Sequence, residues 1–368
     1  MKQAPSDVWF MAHSVSPRGG GMERINAGLL NGLGHDFRTH VITSEGLQEL
    51  EQVHERISLK IPKRPAFMRI LGFYLRAPTK TKLAIAGGIS HTCGAINRGG
   101  SDIATVHLCQ AAATVVRGEN RVWRYSNARI ARTIGRAIEK RNFTPKRTGH
   151  LVAVSDSVAD QLRRHYPDMD VRVIPNGVDQ TRFPFVERFG EDSLRVLMVT
   201  GDFALKGVGG AIRALALVAD QAMTLTVVGK GDTSPYRQLA QSLGIGNRVL
   251  FTGSLDDVRP VYSQSDVVLC NSTYESFGLF LVEAALTGCA VLSTDVGVAS
   301  QLIGDDEGGA LFDGSPTELA QLLTTWSNDR AHVLALGRRA SHRASEFSLS
   351  RMVSSYEDLY REVAAGRP

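Results

Sequence analysis

Cysteine is scarce in this chain: four residues, Cys93, Cys109, Cys270 and Cys289, with neither a C-x-x-C pair nor zinc-site spacing. That excludes a disulfide-stapled scaffold and predicts reduced, buried thiols of a cytosolic protein. Long apolar runs are missing as well. Nothing approaches the roughly eighteen residues of a membrane span. Met1 to Asp7 is polar and the apolar run after it is too short for a secretory leader, so the expected location is the cytoplasm. Aromatics are few, at 7%. In the most basic stretch, Arg121 to Arg147, only Trp123, Tyr125 and Phe143 offer stacking faces, which weighs against nucleic acid as a partner. A metal motif is lacking too. Asp168-Met169-Asp170 imitates D-x-D but sits in a polar turn before a strand with no third ligand nearby, so no metal is expected.

What is present fits a soluble enzyme of two domains. The chain has 368 residues, 43% hydrophobic and 21% charged. The formal charge of +5 hides an asymmetry: residues 1–180 hold 26 Lys and Arg against 15 Asp and Glu, leaving 16 against 22 in the remainder. The basic half faces something anionic, such as a phosphorylated acceptor, a membrane surface or, less favoured, nucleic acid.

Strand and helix patterns alternate along both halves. Val8 to His13 reads as a strand, then the loop through Gly19-Gly20-Gly21, then a helix from Met22 to about Leu33. Either a phosphate cradle or a plain β–α turn accounts for that loop, which matches neither G-x-G-x-x-G nor the Walker spacing. Asp102 to Val106 is a strand with His107 at its end, where ligands of doubly wound sheets collect. A second set of strands begins with Leu194 to Thr200, followed by Gly201-Asp202-Phe203-Ala204-Leu205-Lys206-Gly207 and a helix from Val208. A lysine in such a loop can neutralise phosphate. Two further strands, Thr224 to Val228 and Val249 to Gly253, run into turns at Gly229 and at Ser254-Leu255.

The densest signal lies between Val267 and Leu292. A strand through Cys270 leads to the loop Asn271–Tyr274, then Glu275-Ser276-Phe277-Gly278, a helix from Leu279 to Leu286, a stop at Gly288 and another strand. The helix N-terminus offers free amides to an anion. If both acids ride one helix, Glu275 and Glu283 stand roughly 10–12 Å apart at about 1.5 Å per residue, suited to the hydroxyls of a sugar and a ribose flanking a diphosphate.

Glu, seven residues, Glu, with Phe-Gly and Glu-Ala-Ala-x-x-Gly, resembles the signature of retaining GT-B glycosyltransferases of family 4. Pro175-Asn176-Gly177-Val178-Asp179 and Lys206-Gly207 resemble it too, as does the closing helix around Tyr356 and Tyr360. The resemblance spans nearly the whole chain and is strongest over about residues 171–300. Gly201-Asp202-Phe203 replaces an upstream arginine of many members, in the manner of the lipopolysaccharide core glucosyltransferase subgroup. The resemblance implies an α/β GT-B fold of two Rossmann-like doubly wound parallel-sheet domains facing a central cleft. It implies an acceptor domain over 1–180, a donor domain over 181–345, and a C-terminal helix over 346–368 that crosses back to the first domain.

By the same resemblance Glu275 holds donor hydroxyls and the backbone at Ser276, Phe277, Gly278 and Leu279 holds sugar and diphosphate. Glu283 holds the ribose, Gly20, Gly21 and Lys206 the diphosphate, Gly229, Ser254 and Leu255 the neighbourhood of the base, and His107 a sugar hydroxyl. Glu275, Lys206 and His107 are the expected catalytic set. The implied reaction moves a hexose-type sugar from a nucleotide diphosphate-sugar, with UDP the expected nucleotide, to an acceptor hydroxyl. The donor is a co-substrate, and no cofactor is expected.

Two basic stretches bear on the acceptor. From Lys60 to Lys82, bulky apolar residues alternate with Arg69, Arg76, Lys80 and Lys82, either an ordinary helix or one lying in an anionic lipid interface. In the second stretch Arg129, Arg132, Arg136 and Lys140 fall on one helical face, which is either simply solvated or a patch for an anionic or lipid-linked acceptor. Rival readings are another GT-B nucleotide-sugar enzyme, an epimerase or phosphorylase, and a basic nucleic-acid-binding module.

Overall fold

The computed structural model describes residues 6–46, 50–62, 64–79, 82–83, 87–112, 122–188, 193–305 and 307–366, with residues 122–126 and 128 described by backbone alone. Lys80 and Arg121 lie outside the described residues, as do the side chains of Trp123, Arg124 and Tyr125. The chain folds as two compact units: Met1–Gly177 with Leu349–Pro368, and Val178–Ser348.

Among the described residues the first unit carries β1 (Ser6–Met11), β2 (Phe37–Thr43), β3 (Glu55–Ser58), β4 (Ile89–Cys93), β5 (Ile103–Val106), β6 (His150–Ala153) and β7 (Asp170–Val173). They form one parallel sheet in the order β3-β2-β1-β4-β5-β6-β7. Its central strands are apolar on both faces: Val8, Phe10, Val41, Ile42, Ile89, Ile103, Leu151 and Val152 are all buried. A parallel sheet covered by helices on both sides requires that, and the continuous apolar runs in the sequence reflect it. The winding reverses between β1 and β4, so the carboxyl ends of these strands open a crevice.

The helix Leu349–Ala365 completes this unit. It lies on the helix Gly21–Gly32, where Gly28 and Gly32 let Leu349 and Val353 approach: a Cβ on Gly28 would stand 2.9 Å from Leu349 Cδ1. Tyr360 Oη pairs with His91 Nδ1 at 2.6 Å, and Tyr356 Oη with Thr105 Oγ1 at 2.7 Å. Arg172 closes the far end with two hydrogen bonds to Glu362, at 2.5 and 2.7 Å.

The second unit carries β8 (Arg195–Val199), β9 (Thr224–Val228), β10 (Val249–Gly253), β11 (Val267–Cys270), β12 (Ala290–Ser293) and β13 (Gly309–Leu311). Their order is β10-β9-β8-β11-β12-β13, again all parallel. This is the doubly wound order, with its reversal between β8 and β11. Buried residues of β8, β9, β11 and β12 pack with Ala211, Ile212 and Leu215 of the helix Val208–Leu217 and with Leu319, Leu323 and Trp326 of the helix Pro316–Asn328. Buried Arg188 ties the incoming chain to this unit, donating to the carbonyls of Ser265, Tyr262 and Thr287 at 2.6–2.9 Å.

Candidate active site

Lys206 and Glu275 come from the two loops that flank the reversal point of the second unit. The first loop follows β8 and is folded around Asp202, whose Oδ1 accepts from Leu205 N at 3.0 Å and whose carbonyl accepts from Lys206 N at 3.0 Å. Gly207 ends it with φ +65°, and a Cβ there would collide with the Asn271 carbonyl oxygen. Only glycine fits both conditions. The second loop follows β11. Asn271 Nδ2 donates to Gly207 O at 3.0 Å and Thr273 N donates to Leu205 O at 3.3 Å, so the two loops are stitched together through backbone carbonyls.

That stitching sets Lys206 Nζ against Glu275 Oε1 and 3.5 Å from Tyr274 O. Both side chains are largely enclosed, 16% and 14% exposed. The partly dry setting strengthens their attraction, and it also means that any anion entering here finds a cation already engaged. Gly278, with φ +89°, turns the chain into the helix Leu279–Leu286, whose N-terminus has no side-chain cap. The Phe277 ring is buried and edge-on to Phe347, and its carbonyl accepts from Val298 N at 2.9 Å, which fixes the turn from below. Phe277 therefore gives its side chain to the core. Ser276 lies between, in the same loop.

Glu283 sits mid-helix and is only 4% exposed; its Oε2 accepts from Tyr262 Oη at 2.9 Å. The helix starts at Leu279, so Glu275 precedes it. The separation reckoned from helical rise therefore does not apply, because the chain from Glu275 to Gly278 is loop. Gly229 donates to Gly253 O at 2.9 Å and approaches the Thr200 carbonyl of the Lys206 loop. Ser254 is exposed and Leu255 half-buried, in the turn after the edge strand β10, and the structure does not bring either of them to Lys206 or Glu275 by a hydrogen bond.

In the first unit, Gly20 precedes the helix that begins at Gly21. The Gly20 amide donates to Glu23 Oε2, so a carboxylate from the helix itself already serves this N-terminus. His107 follows β5, its Nε2 enclosed and without a partner. Burial lowers its pKa to about 4, so the ring is neutral at pH 7. His91 on the neighbouring strand β4 is neutral for the same reason, its pKa lowered to about 3 by burial and then by His107.

The expected cationic face of the helix Val122–Asn142 is divided. Arg129 and Arg136 are exposed, whereas Arg132 is half-buried with Nη1 enclosed and unpartnered, because this helix packs along the helix Ala66–Arg76. On that second helix Arg76 donates to the Lys60 carbonyl, and Arg69 turns inward with Nε enclosed. Asp170 is occupied by His150 Nδ1 at 2.6 Å and Arg172 Nε at 3.0 Å, so the D-x-D imitation is a surface ion cluster. All four cysteines are free; three are buried and Cys93 is half-buried, with its thiol pushed up to about 12 by burial.

Tyr262, Asn271 and Asp202 were invisible to motif reasoning. Asn271 and Asp202 stand in the right loops, but nothing in the sequence says which backbone groups they bind, and Tyr262 reads as an ordinary core aromatic.

Residues 179–343 match the family described as Glycosyl transferases group 1, and residues 19–182 match Glycosyltransferase Family 4. Among curated proteins the chain is 29% identical over 226 residues to N-acetyl-alpha-D-glucosaminyl L-malate synthase of Bacillus anthracis, covering 58% of this chain and 59% of that protein. It is 31% identical over 245 residues to D-inositol 3-phosphate glycosyltransferase of Corynebacterium kroppenstedtii, covering 59% and 54%. The matches thus span little more than half the length of these relatives. Among solved structures, WaaG, a glycosyltransferase involved in lipopolysaccharide biosynthesis, superimposes with a TM-score of 0.75 at 22% identity, over 96% of this chain and 99% of that one. Anabaena HepE in complex with UDP gives 0.69 at 19% identity, over 97% and 100%. The two family matches together run from residue 19 to residue 343 on two parallel α/β sheets of GT-B type, and the chain belongs to the family 4 glycosyltransferases.

Proposed function

We propose that this protein transfers a hexose-type sugar from a UDP-sugar to an acceptor hydroxyl, with retention of configuration and without a metal ion. The observation that carries this reading is the Lys206–Glu275 pair beside the uncapped N-terminus of the helix Leu279–Leu286, at the reversal point of the second sheet. The helix amides and Lys206 are where charge would gather on a departing diphosphate. Glu275 accepts hydrogen bonds from sugar hydroxyls, and Glu283 holds the ribose after exchanging or sharing its Tyr262 bond. HepE is described with UDP and with UDP-glucose, which supports the choice of donor.

In the reaction the bond from the sugar's anomeric carbon to the diphosphate oxygen breaks and a new bond to the acceptor oxygen forms on the same face. The acceptor proton passes to the leaving phosphate. Lys206 leaves Glu275 for the diphosphate, and Glu275 is released to the sugar. His107, Gly20 and Gly21 belong to the first unit, and their roles toward sugar hydroxyl and diphosphate rest on the family resemblance; Glu23 must give up the Gly20 amide if a phosphate is to take it.

The two curated relatives are named for acceptors bearing a carboxylate or a phosphate, which supports an anionic acceptor here. Among the described residues no helix is long and apolar enough to cross a membrane. Met68, Leu71 and Leu75 nonetheless form an exposed apolar stripe beside exposed Lys60, Arg64 and Arg76, which supports peripheral contact with an anionic bilayer from the cytoplasmic side.

The test of the donor is a thermal-shift panel of nucleotides and nucleotide-sugars with and without EDTA. A ligand present at 100 times its Kd stabilises the folded state by about 2.7 kcal/mol, so no acceptor is needed to see it. UDP and its sugars should raise Tm equally in both buffers. No shift with any nucleotide would sink the reading, and a shift abolished by EDTA would sink its metal independence.

A further inference from the structure

His13 lies two residues beyond β1, at the carboxyl edge of the first sheet and at its reversal point between β1 and β4. Its carbonyl is fixed by Ser44, which donates from both backbone N and Oγ, at 3.3 and 2.7 Å. Its ring stands edge-on to Phe73, centroids 4.7 Å apart, and Nδ1 is enclosed with no hydrogen-bond partner. Phe73 belongs to the helix Ala66–Arg76, and Arg69 lies one turn before it on the same face. Arg69 is close enough to His13 to disfavour its protonation, and Arg69 Nε is likewise enclosed and unpartnered. Among the described residues no carboxylate pairs with Arg69.

An enclosed polar group without a partner is destabilising, and a charged one more so. These two groups, on different elements joined through the His13–Phe73 contact, lie by the edge where ligands of doubly wound sheets bind. The imidazole is neutral at pH 7, its pKa lowered to about 4 by burial and by Arg69, so the guanidinium supplies the full charge and the ring a neutral N–H.

We propose that His13 and Arg69 form a subsite for an oxyanion, a phosphate or carboxylate carried by the soluble acceptor. This rests on the transferase reading only for what the anion is attached to; the site itself stands on the first unit alone.

The experiment uses the full chain in chloride buffer, titrated by calorimetry with inorganic phosphate, L-malate and, as neutral control, myo-inositol, and separately with UDP. Either phosphate or malate should bind, which also tells the two sources apart, and myo-inositol should not. Arg69→Gln and His13→Phe, which keeps the ring contact with Phe73, should each weaken the anion at least tenfold and leave UDP unchanged. Arg98→Gln, removing an exposed charge of the same unit, should leave the anion unchanged. Arg69→Gln should melt at or above wild type without anion and below it with phosphate, a crossing that a merely damaged fold does not give. Equal anion binding by wild type and both variants, equal weakening by Arg98→Gln, or no anion binding by wild type would each overturn the subsite. Loss of UDP binding by wild type would instead overturn the donor reading.

Discussion

Lys206 and Glu275 pair with each other and so hold the two loops together, and the proposed function gives each a second task, to meet the donor. Glu275→Ala should abolish turnover while UDP affinity stays within about threefold, because Lys206 is released toward the diphosphate. Glu283 differs, being buried and bonded to Tyr262. Glu283→Gln keeps an acceptor for that hydroxyl, so Tm should hold while UDP affinity falls about tenfold, the worth of one charge-assisted hydrogen bond. Calorimetry with UDP beside a transfer assay separates the two variants, and full activity of Glu275→Ala would remove it from the site. The spacing of these acids and the Lys-Gly pair were legible in the sequence. Their mutual contact was not, because it depends on Asn271 and Thr273 sewing together loops 64 to 68 residues apart.

At the scale of elements, the helix Leu279–Leu286 has the bounds its apolar pattern predicts, opened by a left-handed Gly278 and followed by a left-handed Gly288. Periodicity reads such boundaries well because glycine is the one residue that enters φ > 0 without strain. Periodicity reads burial less well. The helix Ala66–Arg76 is amphipathic by sequence, yet its apolar residues divide between Phe73 in the core and Met68, Leu71 and Leu75 at 43%, 41% and 53% exposure. Positions i, i+3 and i+7 share one face, and that face is outward. If it docks on lipid, wild type should co-sediment with vesicles containing anionic lipid and release as salt rises. Leu71→Glu with Leu75→Glu should lose binding at least tenfold without lowering Tm. Equal co-sedimentation of wild type and double variant would place the bilayer elsewhere or nowhere.

The whole molecule carries a set of neutral buried bases with a pH signature. His13, His91 and His107 have pKa values lowered by burial to about 4, 3 and 4. Between those values and 6.5 the unfolded chain binds more protons than the folded one, so stability is complete above about 6.5 and is lost as pH falls toward 4. Glu139 runs the other way. Burial raises it to about 7, against hydrogen bonds from Gln110 N, Tyr166 and Ala111 N, so its contribution is lost as pH rises through 7. Urea midpoints from pH 4 to 8.5 should therefore peak near pH 6–7, fall steeply on the acid side, and flatten on the alkaline side in Glu139→Gln. A profile level from pH 4 to 6.5 would contradict neutral burial of the three rings.

By itself the sequence determined what local physics determines: the alternation of strands and helices, the glycine turns between them, and the loops that carry Lys206 and Glu275 at strand ends. Hydrophobic period and turn chemistry are properties of neighbours in the chain, and a parallel sheet of helix-covered strands is how such a rhythm buries its apolar faces. Only the tertiary structure decided partners distant in sequence. It paired Lys206 with Glu275, Glu283 with Tyr262 and His91 with Tyr360, and it set the His13 ring against Phe73. A buried polar atom takes whatever donor or acceptor the packing brings within about 3 Å, and that choice is made by the order of strands in the sheet.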